Sequence, residues 1–399
     1  MKSPPSSPSE CVVVVRNLSM SYFGTASGQT RVVNDLSLSI RKGQFYTLLG
    51  PSGCGKTSML RCIAGLEQPD AGEILIDGEV FYSSTENIAV PANRRKIGMV
   101  FQSYAIWPHM TVYENVAFAL RNIRPKPERR ALRDQVMRSL DLVKLSEFAS
   151  RPAPFLSGGQ QQRLALARAI VAAPKLLLLD EPLSNLDAKL RDEMRVELRD
   201  LLRRLSITTV FVTHDQSEAL AMSDTIAVMQ DGRIVQEGSP ADIYELPETP
   251  FVADFVGKTN FVRGVVESTD QLKRSAKVKT PLGVLSVLDA KDFCSGDQVT
   301  IAVRPENVLI EACPPATITG EKTVMAGVVE AALYLGSLRE YRIAIDGNIL
   351  LATTHPSVAR SSSARVTVSI NARDCFLIRG WSEARRTWAS TQTVPIGAI

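Results

Sequence analysis

The sequence predicts an α/β protein whose parallel sheet is covered by helices, followed by a smaller all-β module. Three observations carry this. A glycine-rich run, GPSGCGKT (Gly50 to Thr57), stands between a strand-like segment and a helical one. Helical and strand patterns then alternate to about residue 235, with LLLLD (176–180) and TTVFVT (208–213) apolar enough to be strands buried on both faces. From about residue 260 the texture changes to short alternating runs such as VRGVVEST, QVTIAVRP and EYRIAI, punctuated by Gly, Pro and Asp, as in a small barrel-like β domain.

The elements follow in order. MKSPPSSPSE is polar and Pro-rich, so residues 1–10 are expected to be disordered and not to form a signal peptide. CVVVVRNLSMSY, VVNDLSLSI and QFYTLLG read as strands separated by turn-forming residues, the last ending in the glycine run. Residues 103–165 are helix-rich and charged (TVYENVAFAL, ERRALRDQVMRSLDLVKL), which indicates an inserted helical subdomain. The organisation expected is therefore a first domain over 11–245, a linker over 246–259 and an all-β domain over 260–399.

Composition narrows the function classes. The chain has 399 residues and a net charge of +4, with no concentrated basic block, so no nucleic-acid partner is expected. The pairs Arg94-Arg95 and Arg129-Arg130 read as solvated faces. Cys11, Cys54, Cys62, Cys294, Cys313 and Cys375 are scattered, without a CxxC pair or a histidine at metal-ligand spacing. They are read as reduced thiols in a cytosolic protein. No stretch approaches the roughly 18 apolar residues of a membrane helix, so work at a membrane requires a partner to hold the chain there.

Gly50, Pro51, Ser52, Gly53, Cys54, Gly55, Lys56 and Thr57 fit GxxxxGK[ST] between a strand and a helix, the phosphate-binding P-loop. Its backbone amides can curl around phosphates, Lys56 can reach the β and γ oxygens, and the Thr57 hydroxyl can ligate magnesium. Cys54 has no chemical task there and reads as a small filler. Asp180 ends a buried strand, where parallel sheets bind ligands, and can hold magnesium directly or through water. Glu181 follows it and can orient or deprotonate an attacking water. His214 ends the next buried strand, where it can donate to a γ-phosphate and hold Glu181 or the water. Gln102 ends IGMVFQ, and its carbonyl can reach magnesium or the water. His109 and His355 lack such settings and read as surface or loop residues.

LSGGQQQR (156–163) holds no carboxylate, histidine or thiol. Its Ser-Gly-Gly run leading into LALARAIVAA reads as a helix start with Ser157 near the N-cap, an end that attracts anions.

Taken together, the P-loop, Gln102, LSGGQQQR, LLLLD, SNLD (184–187) and His214 resemble an ATP-binding cassette ATPase, in the family's order and over about residues 10–245. The resemblance implies a P-loop NTPase fold with an antiparallel β subdomain and an inserted helical subdomain. It further implies two cassettes sandwiching two ATP molecules with Mg2+, each ATP held by the P-loop of one subunit and by Leu156, Ser157, Gly158, Gly159 and Gln160 of the other. Ser184, Asn185, Leu186 and Asp187 become the D-loop. Tyr22 falls where the family stacks an aromatic on adenine, with a tyrosine in an edge strand as the alternative. The three glutamines after Ser157-Gly158-Gly159 are expected to make interface hydrogen bonds.

The β module, through FVGKTNFVRGVV, AVRPENVLI and GVVEAALYLGS, resembles the oligonucleotide-binding-like (TOBE) regulatory domain of importer ATPases of the maltose, polyamine and iron(III) class. That implies an ATP-hydrolysing energy-coupling subunit, a homodimer on the cytoplasmic face of the membrane. It would dock on separate integral-membrane permeases and be served indirectly by a periplasmic or extracellular solute-binding protein. Docking is expected on the helical subdomain and the Gln102 loop, where SYAIWPHMTVYENVAF is rich in aromatics, Trp107 being either exposed or in the subdomain core. A soluble cassette ATPase acting on nucleic acid or ribosomes is the alternative; the 101 positions between Lys56 and Ser157 leave no room for a long coiled coil. For the solute, the wording QSYAIWPHMTV resembles iron(III), polyamine and phosphonate importers, leaning towards iron(III).

Overall fold

β-branched and alternating apolar residues give strands at once, and the computed structural model begins its description there. It describes residues 11–24, 28–122, 125, 127–288, 290, 292–311 and 322–379, so the expected disorder of 1–10 and Cys313 lie outside the described residues. The chain falls into two units, 1–243 and 244–399.

The first unit opens with β1 (Cys11–Gly24), β2 (Gly28–Arg41) and β3 (Phe45–Leu49), then α1 (Lys56–Ala64). β4 (Ala71–Ile76), β5 (Glu79–Ser83) and β6 (Ile88–Ala89) join β1 and β2 in an antiparallel sheet of order β2-β1-β4-β5-β6. β7 (Gly98–Val100) precedes three helices, α2 (Val112–Arg121), α3 (Arg129–Leu142) and α4 (Gly158–Ile170). Thr111 and Glu114 form a capping box at the start of α2, satisfying the amides that a helix end leaves free. Then come β8 (Leu176–Asp180), α5 (Ala188–Leu205), β9 (Thr208–Thr213), α6 (Gln216–Met222), β10 (Thr225–Gln230), β11 (Arg233–Gly238) and α7 (Pro240–Glu245).

The second sheet has the order β11-β10-β3-β9-β8-β7 and is parallel except for the β10/β11 hairpin. Its central strands are covered on both faces. In β8, Leu176 and Leu178 join the core beneath the antiparallel sheet, whereas Leu177 and Leu179 join the core shared with α2, α3 and α4. This two-sided burial is why LLLLD and TTVFVT carry no polar alternation.

Register then sets the site. Leu49 pairs with Thr213, Asp180 with Val212, and Val100 with Leu179. The carboxyl ends of β3, β9, β8 and β7 therefore stop at one edge, and the residues that follow them converge there.

In the second unit α8 (Pro250–Phe255) lies within residues 246–259. β12 (Asn260–Asp270), β13 (Ser275–Thr280), β14 (Gly283–Leu288), β15 (Gln298–Val303), β16 (Leu309–Glu311), β17 (Lys322–Tyr334), β18 (Arg339–Ile345), β19 (Asn348–Thr354), β20 (Arg365–Asn371) and β21 (Cys375–Arg379) follow. They make two antiparallel sheets, β14-β13-β12-β15-β21 and β16-β20-β17-β18-β19, around one apolar core. Arg304 is almost wholly buried and fastens α8 to these sheets. Its Nη1 donates to the carbonyls of Ala253 and Lys258 and to the Thr259 hydroxyl, its Nη2 to the Tyr244 carbonyl, and its guanidinium stacks on the Tyr244 ring. Burial lowers its pKa. Among the described residues no helix is long and apolar enough to cross a membrane.

Candidate active site

The glycine run leaves β3 and enters α1 at Gly55, its N-cap. Gly53 and Gly55 have φ of 83° and 99°, backbone that L side chains rarely adopt. A Cβ on Gly55 would stand 2.1 Å from the Val32 carbonyl oxygen, and one on Gly50 would stand 2.5 Å from that of Met229. Only glycine fits at either position, and the cradle between them is left open. Lys56 is 4% exposed, and its Nζ donates to the carbonyls of Gly50 at 2.8 Å and Pro51 at 2.9 Å. The ammonium is thus held over the loop, a place from which it can meet a phosphate. Pro51 and Ser52 form the rim. The Cys54 thiol is buried and raised by that burial, as suits a filler.

Thr57 Oγ1 donates to Asp180 Oδ1 at 2.9 Å. Burial pushes the Asp180 carboxyl up and the Thr57 hydroxyl pulls it back. A hydroxyl and a carboxylate side by side, one turn from the phosphate cradle, form a hard-oxygen pair that fits Mg2+. Among the described residues no group of three His, Cys, Asp or Glu could hold a metal alone. That fits an ion held largely by phosphate and water oxygens, with few protein ligands.

Glu181 has a φ of 44°, uncommon for a residue with a side chain and costing on the order of 1–3 kcal/mol. Its backbone is fixed on both sides: its N–H donates to the Val212 carbonyl at 3.0 Å, and its carbonyl accepts from the Ser184 hydroxyl at 2.9 Å. The turn sends the carboxylate between two neighbours. His214 Nδ1 lies 3.0 Å from Glu181 Oε1, and Gln102 Nε2 donates to Oε2 at 3.3 Å. Asn185 Nδ2 donates to the Gln102 carbonyl at 2.7 Å. An open cleft lined by Thr57, Gln102, Asp180, Asn185 and Arg61 lies beside this group.

Leu156 is buried, and Ser157 caps α4 in a second capping box: its hydroxyl accepts from the Gln160 N–H, while Gln160 Oε1 accepts from the Ser157 N–H. Gly158 is exposed at this helix start; Gly159 is buried, and a Cβ there would stand 3.1 Å from Leu190. Gln161 donates to the Leu156 carbonyl, and Gln162 is buried. Gln160 and Gln161 thus hydrogen-bond to backbone at the start of their own helix, where amides are left free. Leu186 is buried and Asp187 caps α5, accepting from the Leu190 N–H at 3.0 Å.

Tyr22 is 42% exposed near the end of β1, a strand that lies between β2 and β4 and not at the edge of its sheet, with its hydroxyl donating to Glu67 at 2.6 Å. The aromatic stretch after Gln102 is less exposed than its sequence promises. Tyr104 is buried, and Trp107 is half-buried between Phe118, 4.2 Å away by ring centroids, and the Arg168 guanidinium. The exposed aromatic of the subdomain is Phe155, at 73%. Two side chains beside the site escape motif reading. Arg61 faces the cleft and pairs with Glu67, its only sequence cue being a basic residue one turn beyond Thr57. Glu218, buried with its carboxyl raised, accepts from the Thr213 hydroxyl at 2.6 Å.

A P-loop facing a strand-end aspartate, a glutamate between histidine and glutamine, and a capped Ser-Gly-Gly helix define an ATP-binding cassette. Family models match the chain over residues 33–184 as an ABC transporter and over 301–378 as a TOBE domain. The chain is 45% identical to the spermidine/putrescine import ATP-binding protein PotA of Mesorhizobium japonicum, over 86% of this chain and 89% of the relative. It is also 45% identical to that of Rubrobacter xylanophilus, over 88% and 91%. Among solved structures it is similar to MJ0796, described as a bacterial ABC transporter cassette. A dimeric post-hydrolysis state of MJ0796 with ADP and Pi is 31% identical, with a TM-score of 0.50, over 57% of this chain and 98% of that one. The chain belongs to the ABC transporter family, as the ATP-hydrolysing energy-coupling subunit of an importer with a C-terminal TOBE domain.

Proposed function

We propose that the chain powers uptake of polyamines through separate membrane permeases, working as a homodimer on the cytoplasmic face of the membrane. In this reading residues 11–245 form the ATPase domain, with 103–165 as its helical part, and 260–399 the regulatory domain. The observation that carries the catalytic part is the Glu181 carboxylate held between His214 and Gln102 beside the Thr57–Asp180 pair.

The loop amides and Lys56 bind the phosphates, and Tyr22 packs on the adenine. Thr57, Asp180 and Gln102 would hold Mg2+, which when bound would supply charge neutralisation at the phosphate oxygens. Glu181 takes the proton of the attacking water, and His214 fixes the carboxylate so that it need not reorganise as the proton moves. Ser157 and Gly159 present the positive end of α4 to the γ-phosphate held by the partner subunit. ATP-driven closure of the two cassettes then moves the permeases between inward and outward states.

The relatives' names favour polyamine over iron(III), towards which the wording after Gln102 leans. Uptake of labelled spermidine and of iron(III) in cells carrying Lys56→Ala tests this. Loss of spermidine uptake alone supports the reading; loss of iron(III) uptake alone transfers the solute.

A further inference from the structure

Two consecutive residues after Gln102, Tyr104 and Ala105, have φ of 61° and 46°. Side-chain-bearing residues seldom hold that conformation, and two in a row need something to hold them. Arg168, on α4, supplies it. Its Nη1 donates to the Ala105 carbonyl at 2.5 Å, its Nη2 to the Tyr104 carbonyl at 2.6 Å, and its guanidinium lies over the Trp107 ring, 4.8 Å from the centroid. On the other side of the loop Asn185 Nδ2 donates to the Gln102 carbonyl at 2.7 Å.

We propose that Arg168 and Asn185 are positioning residues that grip the Gln102 loop from two sides and so set where the Gln102 amide meets Glu181. Among the described residues neither makes a hydrogen bond to Glu181 or Asp180. Each acts through the loop backbone, one from the helix that begins at Ser157 and the other from the turn after β8. Because Arg168 rides on α4, a shift of that helix is passed to Gln102 through two rigid hydrogen bonds. The forked guanidinium suits this task, since two nitrogens fixed in one plane meet the two carbonyls separately, whereas a lysine offers a single ammonium on a flexible stem.

The proposal rests on the reading that Gln102 belongs to the catalytic group. Its test is a pair of double-mutant cycles on steady-state ATP hydrolysis by the purified full chain: Asn185→Ala and Arg168→Lys, each alone and with Gln102→Ala, with thermal melts confirming folding. Each single variant is expected to lower kcat about three- to tenfold, the scale of one hydrogen bond, with KM for ATP little changed. In the Gln102→Ala background neither should lower it further. If both slow turnover by the same factor with or without Gln102, the grip is wrong and the two residues act elsewhere. If Gln102→Ala alone leaves kcat unchanged, the assignment of Gln102 to the site falls, and the grip with it.

Discussion

The Thr57 hydroxyl donates to the Asp180 carboxylate across 2.9 Å, joining the first turn of α1 to the end of β8. Without this contact the phosphate cradle and the strand-end carboxylate would be neighbours by register alone. With it, two hard oxygens share one position. Thr57→Val, which keeps shape and removes the hydroxyl, is therefore expected to raise the Mg2+ concentration for half-maximal ATP hydrolysis by about tenfold or more. Nucleotide binding measured in EDTA should stay close to wild type. An unchanged Mg2+ requirement would remove Thr57 from the metal site.

Arg304 concerns the second unit. Arg304→Leu leaves the carbonyls of Tyr244, Ala253 and Lys258 without that donor in a buried setting. The expected loss is about 3 kcal/mol, seen as a fall of the order of 10 °C in the thermal melt. A shift under about 2 °C would show that α8 is held by its apolar contacts instead.

The thiols divide by burial. Cys62 and Cys375 are pushed up to about 12 by burial, so even at pH 9 only about one molecule in a thousand carries either thiolate. Raising the pH towards 9 therefore leaves both unreactive. Cys294 is exposed. Maleimide labelling of the native chain, read by peptide mass spectrometry, should modify Cys294 and spare Cys62 and Cys375 until denaturant is added. Native labelling of Cys62 would contradict its packing against Met20.

Much of this was legible in the sequence, because the strongest signals were those with the fewest physical solutions. Gly53 and Gly55 adopt backbone that other residues avoid, and LLLLD has no polar face because β8 has none. Other features were not legible because they depend on pairings distant in the chain. Nothing in the local sequence marks Arg304 as buried; its partners lie about fifty residues earlier. Nothing in the run LALARAIVAA marks Arg168 as bound to a loop, yet it meets carbonyls more than sixty residues away. Gln160 and Gln161 read as interface residues, and within the chain they also reach the backbone at their own helix start. Trp107 could not be placed from sequence, since its shelter comes from Phe118 and Arg168.

The central claim is that Glu181, placed by its turn between His214 and Gln102, accepts the proton of the attacking water. Single-turnover hydrolysis by Glu181→Gln tests it most directly, because the amide keeps the shape and one acceptor oxygen for the Gln102 amide but cannot take a proton. ATP binding is expected within a fewfold of wild type and hydrolysis slowed by about 10²–10⁴-fold, with ATP-bound dimers accumulating on size exclusion. Wild-type turnover in Glu181→Gln would contradict this role for Glu181.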